Sequence, residues 1–402
     1  MDGSAANCRK VNIMKTSQNR ILTTHVGSLP RSQAVVDQLF AQDQSKPEFN
    51  QAQFDAVMTQ AVHDIVGKQK AAGVDIPSDG EMSKISYATY IRHRFNGFEI
   101  STKPPPRATP RDLDEHPEFR DSLAARGGTP KYHRPICTGP ITVRDLSGLH
   151  QDIANFKSAM AAHGYDEGFM NAASPGVIAV FQPNEYYPSN EAYIAALSDA
   201  MRVEYETIVN AGLILQIDCP DLAMGRHIRF RDLDDAAFLR QAELQVEALN
   251  AACVNIPADR LRMHLCWGNY EGPHTCDIGL ERVFDVVMKA KPQAVLVEAC
   301  NPRHAHEWAV WQDRKADIPD HKILVPGVLD TTTNFVEHPN LIAERIERYA
   351  NVVGRERVMA GSDCGFGTFA GFGAVHPSIT FEKIGAMAQG AHIASQRLWA
   401  TS

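Results

Sequence analysis

The sequence predicts an α/β fold, a (β/α)8 TIM barrel with a long insertion after strand two. Three observations carry that expectation. Eight short apolar runs alternate with helix-patterned segments along 402 residues, and such alternation builds a parallel sheet. Most of these runs are apolar throughout, as strands buried on both faces require. No G-x-G-x-x-G opens the first helix, which weighs against a doubly wound dinucleotide-binding sheet.

The elements follow in order. The first residues are polar, include Arg9, Lys10, Lys15 and Arg20, and lack the apolar stretch of a secretory signal. Residues 1–18 are therefore set apart as a disordered or tag-like lead, and 19–402 as a single barrel. The run 21–28 (ILTTHVGS) reads as strand one. An amphipathic segment over 54–72 ends at Gly73, and 74–80 (VDIPSDG) reads as strand two. Residues 84–150 lose the rhythm, with KPPPRATPRD, RGGTP and RPICTGP. This is the insertion, with extended pairing such as a hairpin around 135–143. Long stretches without a regular pattern are commonly functional or interface segments, so a homo-oligomer contact is expected there. Strand-like runs return at 169–180, 213–219, 261–267, 294–300, 323–329 and 357–363, with helices over 191–211, 234–252 and 341–353.

Composition narrows the function. Hydrophobic residues make up 44% and charged residues 22%, which is ordinary for a globular chain. The net charge of −8 gives no basic footprint for nucleic acid or an anionic membrane. No apolar run approaches the ~20 residues of a membrane span. The eight cysteines are scattered without framework spacing. They read as thiols of a reducing cytoplasm: buried, catalytic or metal-bound.

Active sites of such barrels lie at the C-terminal ends of the strands. There the sequence places Ser28, Asp79 and Glu81, Asp218, His264 with Cys266, Glu298, and Asp363 with Cys364. His264 and Cys266 are two apart, so on a strand they share a face. Glu298 follows by about one βα unit and Cys364 by two more. One imidazole, two thiols and one carboxylate suit tetrahedral zinc. Spacing alone leaves a second reading open, in which these are separate core residues, since cysteine is commonly buried. The H-x-H pair in NPRHAHE (301–307) is not assigned a second metal, because positions two apart on a helix face different ways. The run GFGTFAGFGA (365–374) lacks the Lys-Ser/Thr of a phosphate loop and reads as a lid beside Cys364.

From about residue 20 to 400 the chain resembles the catalytic barrel of cobalamin-independent methionine synthase. The resemblance rests on TTHVGSLPR (23–31), SDGEMSK (78–84), LQIDCP (215–220), MHLCW (263–267), VLVEAC (295–300), VPGVLD (325–330) and GSDCGF (361–366), in family order. It implies a zinc-dependent methyltransferase of methionine biosynthesis, with Zn2+ held by His264, Cys266, Glu298 and Cys364. It implies that a homocysteine-like thiol is activated as a zinc thiolate and attacks a methyl donor, Glu298 being the ligand most easily displaced. Ser28, Glu81 and Asp218 match residues that hold the amino-acid part of the thiol. Phe181 matches an aromatic that stacks on a pterin. Asp218, Glu81 and Asp330 are the acids implied for catalysis. Partners are a small-molecule thiol and an alkyl donor, with a methyl-delivering protein as a further expectation.

Two departures matter beside the Phe181 that stands where the family has Trp. The family's D-x-H element reads Asp330-Thr331-Thr332 here, and a threonine hydroxyl cannot serve as a general acid near pH 7. The family's D-E-P reads D-C-P, which puts Cys219 beside Asp218. Both fit a second resemblance, to epoxyalkane–coenzyme M transferases, where a metal-activated thiol opens an epoxide. A sulfonate thiol needs cations, for which Arg31, Lys84, Arg226 and His227 are candidates. Glu81 and Asp218 argue against it, because carboxylates repel a sulfonate. A metal-bearing barrel that binds without turnover is the reading from another class.

Overall fold

The computed structural model describes residues 13–100, 109–125 and 134–400. Its strands are β1 (Leu22–Thr23), β2 (Phe95–Ile100), β3 (Pro135–Val143), β4 (Phe169–Ala173), β5 (Ile214–Asp218), β6 (Leu261–Leu265), β7 (Ala294–Val297), β8 (Ile323–Leu329) and β9 (Met359–Ser362). Seven of them form one curled parallel sheet in the order β1-β9-β8-β7-β6-β5-β4. Helices connect successive strands, the arrangement of a TIM-barrel-like fold.

The predicted second strand, 74–80, forms no regular ladder. It is an extended segment across the gap between the two edges of the sheet. The Asp75 and Ile76 N–H groups donate to the Thr23 carbonyl, and Ser78 bridges in parallel to Phe169. Pro77 has no N–H to give. Gly80 and Glu81 then turn the chain through left-handed backbone, at φ 67° and 56°.

The run 169–180 is a strand only as far as Ala173. Ser174 ends it by capping the helix Pro175–Phe181, its Oγ accepting from the Val177 N–H at 2.9 Å. Pro175 fits the first turn, where its missing N–H costs nothing. The insertion also departs from expectation. The extended element at 135–143 exists, but it pairs antiparallel with β2, from Phe95 opposite Val143 to Ile100 opposite Pro135. The helices Arg111–Glu115 and Pro117–Ala125 lie between the two strands, so the pairing is not a local hairpin.

The lead is corrected too. Residues 1–12 lie outside the described residues, but 13–18 are part of the fold. Ser17 Oγ donates to the Val358 carbonyl and accepts from the Leu22 N–H. Met14 is buried with Val26, Ile76, Phe169, Leu296 and Val325, drawn from several strands. One methionine thus joins the apolar interior of the barrel, a role suited to its unbranched, adaptable side chain. Arg262 is buried in the same interior. It donates to Thr24 Oγ1 and the His25 carbonyl, and its guanidinium lies 4.0 Å from the Phe169 ring centroid. Among the described residues, no helix is long and apolar enough to cross a membrane.

Candidate metal centre and substrate cleft

Parallel register brings the strand ends together. Asp218 on β5 stands opposite His264 on β6. Cys266 follows the end of β6, and Cys364 follows β9. The ligand atoms of His264, Cys266 and Cys364 all lie within 4.8 Å of one another, and all three residues are buried. His264 Nε2 lies 3.0 Å from the Asp363 carbonyl oxygen. A carbonyl only accepts, so Nε2 donates to it and Nδ1 is the nitrogen left to face a metal. Asp218 Oδ1 is 3.6 Å from Nδ1, beyond hydrogen-bond length.

The electrostatics suit a cation. The hydrogen bond from Cys364 draws the Cys266 thiol down to about 7, against burial and with help from His264. The same bond, together with burial, pushes Cys364 well up. Burial disfavours charge on His264, yet Cys266 and Asp218 raise it to about 9. Burial, then Cys266, drive Glu298 well above the usual carboxylate range. Two sulfurs and one imidazole nitrogen, clustered and buried, are a donor set that fits zinc.

Glu298 is beside this trio but outside the compact group. Its Oε2 accepts the Trp267 N–H at 2.8 Å, and its Oε1 accepts the Asn301 side-chain amide at 2.6 Å. Asp363 positions the turn that carries it. One Asp363 oxygen accepts the N–H groups of Ala299 and Cys300, and the other accepts that of Asn301. This approach requires Gly327, where a Cβ would stand 2.0 Å from Asp363 Oδ1.

The trio lines a cleft together with Ser28, Glu81, Tyr87, Asp218 and Asn269. Asp218 accepts from Asn171 Nδ2 at 3.3 and 3.1 Å. Glu81 is held by its backbone: its N–H donates to Asp79 and its carbonyl accepts from Arg31. Its side-chain Oε2 is buried without a partner. Burial raises this carboxyl to about 7; Lys84 and Arg31 oppose the shift and Asp218 adds to it. A cation placed between Glu81 and Asp218 would complete the wall.

The family model for the catalytic domain of cobalamin-independent synthases matches residues 21–105 and 124–387. The chain belongs to this family. It is 24% identical over 384 residues to the methionine synthase of Saccharolobus solfataricus, covering 94% of this chain and 95% of that one. Among solved structures it is similar to a B12-independent methionine synthase from Shewanella sp. W3-18-1 in complex with selenomethionine. That match has a TM-score of 0.72 and 17% identity, covering 95% of this chain and 99% of that one. A putative vitamin-B12 independent methionine synthase from Listeria monocytogenes matches at TM-score 0.64 and 19% identity, covering 93% and 99%.

Two expected residues stand apart from the cleft of this family member. Phe181 packs edge-to-face on Tyr87, at 5.8 Å and 85°; Tyr87, not Phe181, lines the cleft. Asp330 is occupied by its own turn, accepting from Thr332 N–H at 2.8 Å and from the Thr332 and Thr333 hydroxyls at 2.7 Å each. Threonine at 332 is therefore spent on Asp330. Cys219 is fully buried, and burial pushes its thiol well up. The run 365–374 is pinned over the cleft: Phe366 N–H donates to Ser28, Ala370 N–H to Ile85, and the Asn269 amide to the Gly365 carbonyl. Asn171, Asn301 and Asn269 were not anticipated. Asn171 alone had a sequence signal, as the polar residue within the apolar run FMNAA.

Proposed function

We propose that the chain transfers a methyl group to the sulfur of a homocysteine-like amino acid, using zinc held by His264, Cys266 and Cys364 with Glu298 as the exchangeable fourth ligand. The observation that carries this reading is one cleft with a nitrogen–sulfur metal trio on its floor and two acids on its wall. Zinc bound there supplies Lewis acidity, which lets a thiol with a free pKa near 8.5 arrive as thiolate at neutral pH.

The chain's own residues do the rest. Glu81 and Asp218 hold the ammonium group of the thiol, Asp218 being oriented by Asn171. Ser28 offers its hydroxyl to the substrate carboxylate. The Trp267 N–H and Asn301 keep Glu298 beside the metal trio. The Shewanella relative's complex with selenomethionine supports an amino-acid ligand by analogy.

The cations suggested for a sulfonate thiol lie outside the cleft, and three of the four are engaged elsewhere. Arg31 donates to the Glu81 carbonyl and Lys84 to the Asn171 carbonyl. Arg226 pairs with Asp235 at 3.1 Å, and His227 lies 3.1 Å from Asp277. None of the four lines the cleft, which puts epoxide opening by coenzyme M second. The Asp330–Thr332 turn offers no imidazole to protonate a leaving nitrogen, so a methyl donor that departs without that proton is favoured over methyl-folate.

The test is zinc X-ray absorption on the purified chain with homocysteine or coenzyme M added, followed by methyl-transfer assays with several donors. Homocysteine is expected to replace an oxygen scatterer by sulfur and to be methylated. Sulfur entry with coenzyme M alone, or full zinc occupancy in Cys364→Ser, would overturn the reading.

A further inference from the structure

We propose that His274, Asp277 and His304 form a second divalent-metal site, distinct from the thiol trio and built without sulfur. His274 and Asp277 lie on the loop after β6, and His304 lies on the turn after β7. Asp277 Oδ2 is 2.8 Å from His274 Nδ1 and 2.9 Å from His304 Nε2. The three ligand atoms lie within 4.8 Å of one another.

The outer nitrogens decide the chemistry. His274 Nε2 is 3.0 Å from the Tyr270 carbonyl oxygen, and His304 Nδ1 is 2.9 Å from Glu307 Oε2. Both partners only accept, so both outer nitrogens carry protons. In neutral imidazoles the inner nitrogens are then lone pairs, and both face the same carboxylate oxygen. Acceptors cannot crowd together in this way. Either both rings are imidazoliums or a cation lies among the three atoms. An outer N–H fixed on a carbonyl or a carboxylate is the usual support of a metal-bound histidine.

A second observation points the same way. The His227 side chain is 0% exposed, and its Nδ1 is 3.1 Å from Asp277 Oδ1. Neither atom makes a hydrogen bond, and His227 Nε2 has no partner either. Buried polar atoms are normally satisfied. A cation held by His274, Asp277 and His304 would keep Asp277 ionised beside His227, so that Oδ1 stays an acceptor facing its ring. The rings are also locked in place: Trp267 stacks on His304 at 4.0 Å and Tyr270 on His274 at 4.2 Å. Tyr270 in turn donates to Asp112 in the insertion. His274 holds a left-handed φ of 53°, a strain that persists only where its surroundings impose it.

Two imidazoles and one carboxylate suit a borderline ion such as zinc, cobalt(II) or iron(II). The ion would clamp the β6 loop, the insertion and the β7 turn around Trp267, whose own N–H holds Glu298. Its role is positioning.

Cobalt(II) titration of the metal-depleted full chain separates the two sites. The wild type is expected to bind two equivalents, one with thiolate-to-cobalt charge-transfer absorption and one without. Asp277→Asn should lose the second and keep the charge-transfer band, which also reports that the barrel is folded. Cys364→Ser should weaken that band and keep the other equivalent. If Asp277→Asn fails to fold, His304→Gln serves in its place. Saturation of the wild type at one equivalent, with His274 and His304 as imidazoliums, would overturn the proposal. So would two equivalents in both folded Asp277→Asn and His304→Gln.

Discussion

Glu81→Gln should weaken substrate binding while stabilising the protein. Burial holds the Glu81 carboxyl at about 7, against an ordinary value of 4.5. Between those values the unfolded chain gives up its proton and the folded chain keeps it. Folding stability therefore falls as pH rises from about 4.5 to about 7, and the full loss is present above 7. The gap is worth roughly 3 kcal/mol at about 1.4 kcal/mol per pH unit. Glutamine keeps the shape and never ionises, so it should restore most of that at pH 8 and almost nothing at pH 4. The same change removes a charge-assisted hydrogen bond to the substrate ammonium, worth about 1.5–3 kcal/mol. That predicts a KM for the amino-acid thiol raised roughly 10- to 150-fold, with kcat changed less. Urea unfolding at pH 4 and pH 8, with initial rates against homocysteine concentration, measures both. Equal stability changes at the two pH values would refute the account of the buried carboxyl. An unchanged KM would refute its role in binding.

Further substitutions address separate joints. Gly365→Ala would put a Cβ 1.9 Å from Ser28 Oγ; it should displace that hydroxyl and raise KM about tenfold, read by steady-state kinetics with a normal circular dichroism spectrum. Asp363→Ala strands three buried N–H groups after β7; at about 1–3 kcal/mol for each unmade bond it should be strongly destabilising in urea and should lower zinc retention against a chelator. Met14→Ala empties a buried position inside the barrel; a cost of about 2–5 kcal/mol is expected, with zinc content unchanged by elemental analysis.

How much was legible in the sequence depended on whether a feature is local. The parallel strands could be read because burial on both faces demands uninterrupted apolar runs; that His264 and Cys266 could share a face was local too, whereas their meeting with Cys364 was suggested by the family resemblance and not by spacing. Strand 74–80 was over-read: its composition suits a strand, but Pro77 and the left-handed turn at Gly80 and Glu81 leave no ladder. The run 169–180 was misdivided because apolarity continues across Ser174, while only the cap and Pro175 mark the change to a helix. The pairing of β2 with β3 is set by contacts across the whole insertion, and no turn signal announces it. The burial of Met14 was invisible, since one apolar residue in a polar lead carries no periodicity. The group at His274, Asp277 and His304 was missed for the same reason: the sequence invites a pairing of His304 with His306, whereas the fold pairs it with a loop from the preceding strand.

In the proposed zinc site Glu298 does not need to be a tight ligand. Its oxygens are already satisfied by the Trp267 N–H and the Asn301 amide, so leaving a metal would strand neither oxygen. Asn301 is fixed by Asp363, which also precedes Cys364 and accepts from the turn that carries Glu298. Trp267 is fixed by its stack on His304. Glu298 is thus held by Trp267, next to Cys266, and by Asn301, which Asp363 fixes; under the proposed function a thiol would displace it without disturbing His264, Cys266 or Cys364. A fourth ligand that is held in place but easily displaced is what separates a catalytic zinc site from a closed structural one. Under the same proposal the acids beyond it, Glu81 with an unpartnered oxygen and Asp218 on Asn171, would favour a thiol that carries an ammonium group over one that carries a sulfonate.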